Sequence, residues 1–237
     1  MLKNILLAGF FLITCASHGY SEVLLGWNTS GNLGTETTEA STTNFAGINS
    51  ANLTLGSGVT AAGNGNRFGG SNWFNTGNAN PSTLANAIAG NDFIQFIVSP
   101  TAGNQFTVTS FDFIWDRSGT GPSSVALFSS VDSFTNSLGS VANLTSGGSS
   151  LTTFRSISIN GISNVSTSTT FRLYGFGATG TGGTGGFDHA TNSATTNNVI
   201  LNGSISAVPE PTSMVLVGLI GVAGVVVRTR RRLAKMA

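Results

Sequence analysis

The sequence predicts an all-β protein: an antiparallel β-sandwich or jelly-roll ectodomain between an N-terminal signal helix and a single C-terminal transmembrane helix. Three observations point there. Apolar residues in the long middle stretch recur with a two-residue period in short runs punctuated by Gly, Ser and Asn. That stretch contains no amphipathic run of ten or more residues, and "PSTLANAIAG" (Pro81–Gly90) predicts one or two helical turns only. Each end carries an uncharged apolar run of a kind the middle lacks.

The N-terminal element is short. Lys3 precedes the apolar stretch Ile5 to Ile13, and the small residues of "TCASHGY" follow. This is the layout of a secretory signal peptide, assigned to residues 1–19. Nine apolar residues fall well short of the roughly 20 that span a bilayer. Cys15 is the only cysteine and lies inside this segment, so the body has neither an internal disulfide nor a thiolate metal site.

Residues 20–206 form the expected ectodomain, best defined over 90–206. Only 8% of the 237 residues are charged, which is low for a cytosolic domain. Sixteen Phe, many set in β-branched runs, supply the apolar area that a disordered chain lacks. Four basic residues (Arg67, Arg117, Arg155, Arg172) stand against eight acidic ones, a net charge of −4, which excludes a nucleic-acid footprint. "GNGNRFGGSNWFNTGNAN" (Gly63–Asn80) embeds Trp73 and Phe74 in a Gly- and Asn-rich segment. Exposed, these two rings would be glycan-binding candidates that stack on sugars. Buried, they would pin the segment to the core, the commoner use of such rings.

The strands follow in order. "DFIQFIVS" (Asp92–Ser99) is closed by Pro100. "QFTVTSFDFIWD" (Gln105–Asp116) changes phase near Thr109–Ser110: Phe106 and Val108 share one parity, while Phe111, Phe113 and Trp115 share the other. A bulge or bend is expected there. "SVALFSS" (Ser124–Ser130), "LTTFRSISI" (Leu151–Ile159), "TTFRLYGFG" (Thr169–Gly177) and "NNVILNGSISA" (Asn197–Ala207) complete the set. "GFGATGTGGTGG" (Gly175–Gly186) lacks the Lys-Ser/Thr and the following helix of a phosphate loop, and predicts a flexible surface loop.

Chemistry is sparsely supplied. His189 is the only histidine beyond the signal peptide, which excludes a histidine-based metal cluster. No Gly-x-Ser-x-Gly elbow accompanies it. Asp112 and Asp116 share one strand face at a separation of roughly 13 Å, beyond the ~5–9.5 Å of glycosidase carboxylate pairs. Asp116 and Arg117 are expected to tie down the "SGTGP" turn. No metal, no cofactor and no catalytic residue is predicted, and a membrane-tethered hydrolase is the least favoured reading.

The C-terminal element combines three parts. Pro209-Glu210-Pro211 is stiff and extended, because proline fixes φ and restricts its predecessor. Met214 to Val227 is uncharged for fourteen residues, about 21 Å as a helix, a marginal match to the ~30 Å hydrocarbon core. Arg228, Arg230, Arg231 and Arg232 would keep the following residues in the cytoplasm and so fix the topology.

"VPEPTSMVLVGLIGVAGVVVRTRRR" resembles the bacterial PEP-CTERM sorting signal, with all its parts in order over residues 208–232. The resemblance implies a chain divided into a signal peptide (1–19), an ectodomain (20–206) and a sorting signal (207–237). The signal comprises the transmembrane segment 214–227 and the basic tail 228–237. It implies recognition of Val208, Pro209, Glu210 and Pro211 by an exosortase-type membrane transpeptidase, with membrane lipid as the transient partner. The expected protein is exported, tethered to the inner membrane before processing, then placed at the cell surface or in the extracellular matrix. There it would be a non-catalytic structural or adhesive component of an exopolysaccharide-rich layer. The alternative is a carbohydrate-binding module.

Residues 90–207 also resemble β-sandwich ectodomains that often precede such signals. Those domains share a general likeness with carbohydrate-binding jelly rolls, from which no activity follows. The polar insertion between Asp188 and Val199 departs from them, and puts a ligand or calcium role for Asp188 in doubt.

Overall fold

A computed structural model describes residues 21–74, 77, 79–147, 152–191 and 194–209. Over these the chain runs β1 (Glu22–Trp27), β2 (Thr38–Ala40), β3 (Thr43–Asn44), β4 (Asn52–Leu55), β5 (Thr60–Ala61) and β6 (Arg67–Ser71). The helix α1 (Leu84–Gly90) follows, then β7 (Phe93–Val98), β8 (Asn104–Phe113), β9 (Trp115–Arg117) and β10 (Ser124–Ser129). After a 3-10 turn at Ser130–Asp132 come β11 (Gly139–Val141), β12 (Arg155–Ser158), β13 (Thr169–Phe176), β14 (Gly185–Asp188) and β15 (Val199–Ala207). Every pairing is antiparallel.

The strands make three sheets. One is ordered β12-β8-β15-β1-β3, the second β11-β10-β13-β7-β4-β2, and the smallest β5-β6-β14-β9. Aromatic rings join the two larger ones. Phe96 of β7 lies 5.2 Å from Phe111 of β8 and 5.2 Å from Trp27 of β1, and it stacks on Phe171 of its own sheet. All four rings are fully or almost fully buried. The all-β expectation therefore holds, and the facing sheets are consistent with a β-sandwich.

The smallest sheet grows out of the first. β8 ends at Phe113, and Ile114 breaks the ladder by donating its N–H to the Asn198 carbonyl. β9 then pairs with β14 instead. Trp115 and Phe187 turn inward and meet edge to face at 5.6 Å, continuous with the main core.

The phase change in β8 is a bulge. Ser110 pairs with Asn202 and Val108 with Gly203, so Thr109 is left without a partner across the ladder and is exposed. Phe106 and Val108 before it, and Phe111 and Phe113 after it, are all buried as a result. The second break, at Ile114, was not anticipated. It puts Asp112 and Asp116 on different sheets rather than on one strand face.

Helix α1 has the short length expected. Thr83 caps its start, accepting from the Asn86 N–H while the Asn86 side chain accepts from the Thr83 N–H. Asn91, in left-handed conformation at φ 57°, ends it.

The predicted surface loop at Gly175–Gly186 needs correction. Its last two glycines begin β14 and are buried between β6 and β9. A Cβ on Gly186 would lie 2.5 Å from the Phe68 carbonyl oxygen, closer than real contacts permit. Among the described residues no helix is long and apolar enough to cross a membrane. The expected signal helix and the transmembrane segment 214–227 lie outside the described residues.

Candidate functional site

Two places hold candidate functional residues, one at each end of β15. Its C-terminal end leads into the sorting motif. Ala207 pairs with Asn104, and the Val208 N–H donates to the Gly103 carbonyl at 2.9 Å. That bond is the last one made by the described chain. Val208 and Pro209 are exposed, so the Pro-Glu-Pro element starts directly at the boundary of the fold. Glu210, Pro211 and the four arginines Arg228, Arg230, Arg231 and Arg232 lie outside the described residues.

Residues 207–232 match the family model of the PEP-CTERM protein-sorting motif. The chain carries a PEP-CTERM sorting signal. The signal implies export, a membrane-associated C-terminus and processing by exosortase, a membrane protein. A comparison with curated proteins and with solved structures gives no match.

The other end of β15 adjoins a buried charged cluster on the outer face of the smallest sheet. Strand alternation turns Phe68, Phe187 and Trp115 into the core, and so turns their neighbours Arg67 (β6), Asp188 (β14) and Asp116 (β9) to the opposite face. Arg67 and Asp188 are direct cross-strand partners. The Arg67 guanidinium pairs with Asp116 through Nη2, while its Nη1 makes a long 3.4 Å contact with the Thr184 hydroxyl. Its Nε lies 3.8 Å from Asp188 Oδ1. Asp116 also accepts from the Gly147 N–H.

Asp188 is the poorly served member. It is fully buried, and neither carboxylate oxygen has a hydrogen-bond partner. The neighbouring His189 N–H is committed to the Asn66 carbonyl and gives it only minor relief. Burial is the main cause that pushes its pKa up to about 6; attraction to Arg67 opposes the shift and repulsion from Asp116 adds to it. Above the cluster the surface opens into a cleft of about 480 Å³, walled by Asn64, Arg117 and Thr184.

The remaining candidates fall elsewhere. Trp73 is 0% exposed: its indole N–H donates to the Gly70 carbonyl, its ring meets Trp115 edge to face, and Gly175 leaves room for it. Phe74 packs half-buried against the same core. A fully buried ring cannot stack on a sugar, so Trp73 takes the pinning role, while Phe74 keeps part of its surface exposed. Arg117 does hold the turn, donating to the carbonyls of Ser118, Gly119 and Gly121 as well as Leu144. Asp116 does not join it and turns to Arg67. Asp112 accepts from Ser110, Ser156 and Asn202.

Sequence reasoning missed the partnership of Arg67 with Asp116 and Asp188. The available signal was an arginine in a Gly- and Asn-rich run of a chain with few charges.

Proposed function

We propose that this is an exported, non-catalytic protein of the cell surface or extracellular matrix, a structural or adhesive component of an exopolysaccharide-rich layer. The observation that carries the reading is the coincidence of two boundaries. The PEP-CTERM match begins at Ala207, the last residue of the last strand. This supports a sorting signal appended to a finished domain, as an address must be if it is to be read and removed without unfolding its cargo. The non-catalytic reading is supported by how the acids are used: Asp112 and Asp116 are committed to side chains and backbone of their own fold.

Mass spectrometry of the mature C-terminus tests it in cells with and without an exosortase. The expected result is loss of residues 214–237 only where the enzyme is present, with the body then recovered from the surface or matrix fraction. An intact tail in both strains would make the signal a plain anchor and overturn the proposal.

A further inference from the structure

The cleft over Arg67, Asp116 and Asp188 carries chemistry that neither the sorting signal nor the core packing uses. Buried polar groups are almost always hydrogen-bonded, and one left without a partner calls for an explanation. Here two such groups are neighbours. Asp188, with its side chain 1% exposed, has two unfilled acceptor oxygens, and Arg67 Nε is an unfilled donor 3.8 Å from one of them.

We propose that this cleft binds a neutral polyhydroxyl ligand, a sugar unit of a polysaccharide, with Asp188 accepting from its hydroxyls and Arg67 Nε donating to them.

The donor and acceptor pattern selects this class. A hydroxyl both donates and accepts, so adjacent hydroxyls of a sugar can satisfy a carboxylate and a neighbouring N–H together. The charges exclude ions of either sign. Arg67 and Arg117 balance Asp116 and Asp188, so the lining is neutral as a whole. A cation at Asp188 would sit against the Arg67 guanidinium, and an anion at Arg67 would sit between two carboxylates. A neutral ligand meets neither repulsion. The volume of about 480 Å³ lies within the range of small-molecule sites. Asp188 and Arg67 line the cleft, and the half-buried side chains of Asn64 and Thr184 on its wall can add hydrogen bonds to the same ligand hydroxyls.

The location fits the use. The cluster is tied to the start of β15, where the Asn198 amide donates to the Asp188 carbonyl. The sorting signal leaves from the other end of that nine-residue strand, about 30 Å away. The cleft and the start of the sorting signal thus lie at opposite ends of one strand. The inference deepens the matrix role proposed above but does not require tail processing, so either can fail alone.

Calorimetric titration of the full chain in detergent, with neutral cello-, manno- and galacto-oligosaccharides, tests the site. Calcium chloride and inorganic phosphate serve as ionic probes. At least one neutral oligosaccharide is expected to bind, and Asp188→Asn and Asn64→Ala to weaken it about tenfold or more. Two variants are used because Asn64, half-buried on the wall, can be truncated without disturbing the buried cluster. Binding is also expected to strengthen as pH rises through about 6 and Asp188 ionises. The proposal is overturned if no neutral oligosaccharide binds at millimolar concentration, if binding is unchanged in both variants, or if only calcium or phosphate binds.

Discussion

Arg67 holds two buried carboxylates from two other strands, and the two kinds of substitution available in this cluster should act with opposite sign. Arg67→Met removes the buried guanidinium that pairs with both Asp116 and Asp188, a change that typically destabilises by about 3–5 kcal/mol. Denaturant unfolding should show the loss as a lower midpoint. Asp188→Asn removes a charge that burial already penalises, so it should stabilise near neutral pH. The sign follows from linkage. The folded pKa of Asp188, about 6, lies above its ordinary value of 3.8, so its favourable contribution is complete below 3.8 and is lost as pH rises through about 6. The gain in Asp188→Asn should therefore be near zero below pH 3.8 and reach about 1–3 kcal/mol above pH 6. Thermal melts of both proteins across that range check it. A gain that is constant with pH would mean that packing, not charge, sets the difference.

At the scale of the strand, adjacent residues of β7 make a clean pair for comparison. Phe96 is buried and touches Trp27, Phe111 and Phe171, linking the two larger sheets. Ile97 points the other way and is 45% exposed. Phe96→Ala should cost about 3–5 kcal/mol, while Ile97→Ala should stay within about 0.5 kcal/mol; urea titration of the two variants separates them.

The same alternation explains what could be read in advance. β7, β10, β13 and β15 were legible because Phe, Leu, Ile and Val recur every second residue, and the bulge in β8 was legible as a slip in that rhythm. β6 and β14 were not. Their sequences, RFGGS and GGFD, have glycine where a strand usually shows its pattern, and the reason is tertiary: β6 and β14 approach too closely for a Cβ. Trp73 was visible as a notable ring but not as a buried one, since its burial depends on Gly175, a hundred residues later in the chain. The charged cluster was hidden for a similar reason. Arg67 and Asp116 are 49 residues apart, and only the break at Ile114 brings β9 into their common sheet.

Taken whole, the molecule has two unlike poles connected by one strand, with the sorting signal leaving one and the charged cleft opening at the other. Among the described residues the fold ends on one backbone bond, from the Val208 N–H to the Gly103 carbonyl. A chain ending at Pro209 retains that bond and every described strand, and should keep a single cooperative transition, with stability changed by no more than about 1 kcal/mol. Circular dichroism melts of the shortened and full chains test this, and a broad or split transition in the shortened one would show that the body leans on its tail.

β15 also decides how the protein would respond to tension. It is an inner strand flanked on both sides, by β8 over nine residue pairs and by β1 over five. A pull applied at Val208 and resisted at the cleft runs along β15, across ladder bonds that lie perpendicular to the strands. Those bonds would share the strain in shear and fail together, rather than unzip one at a time from an edge. Tension between the C-terminus and a ligand held in the cleft, as proposed, would thus load β15 in shear rather than peel it from an edge.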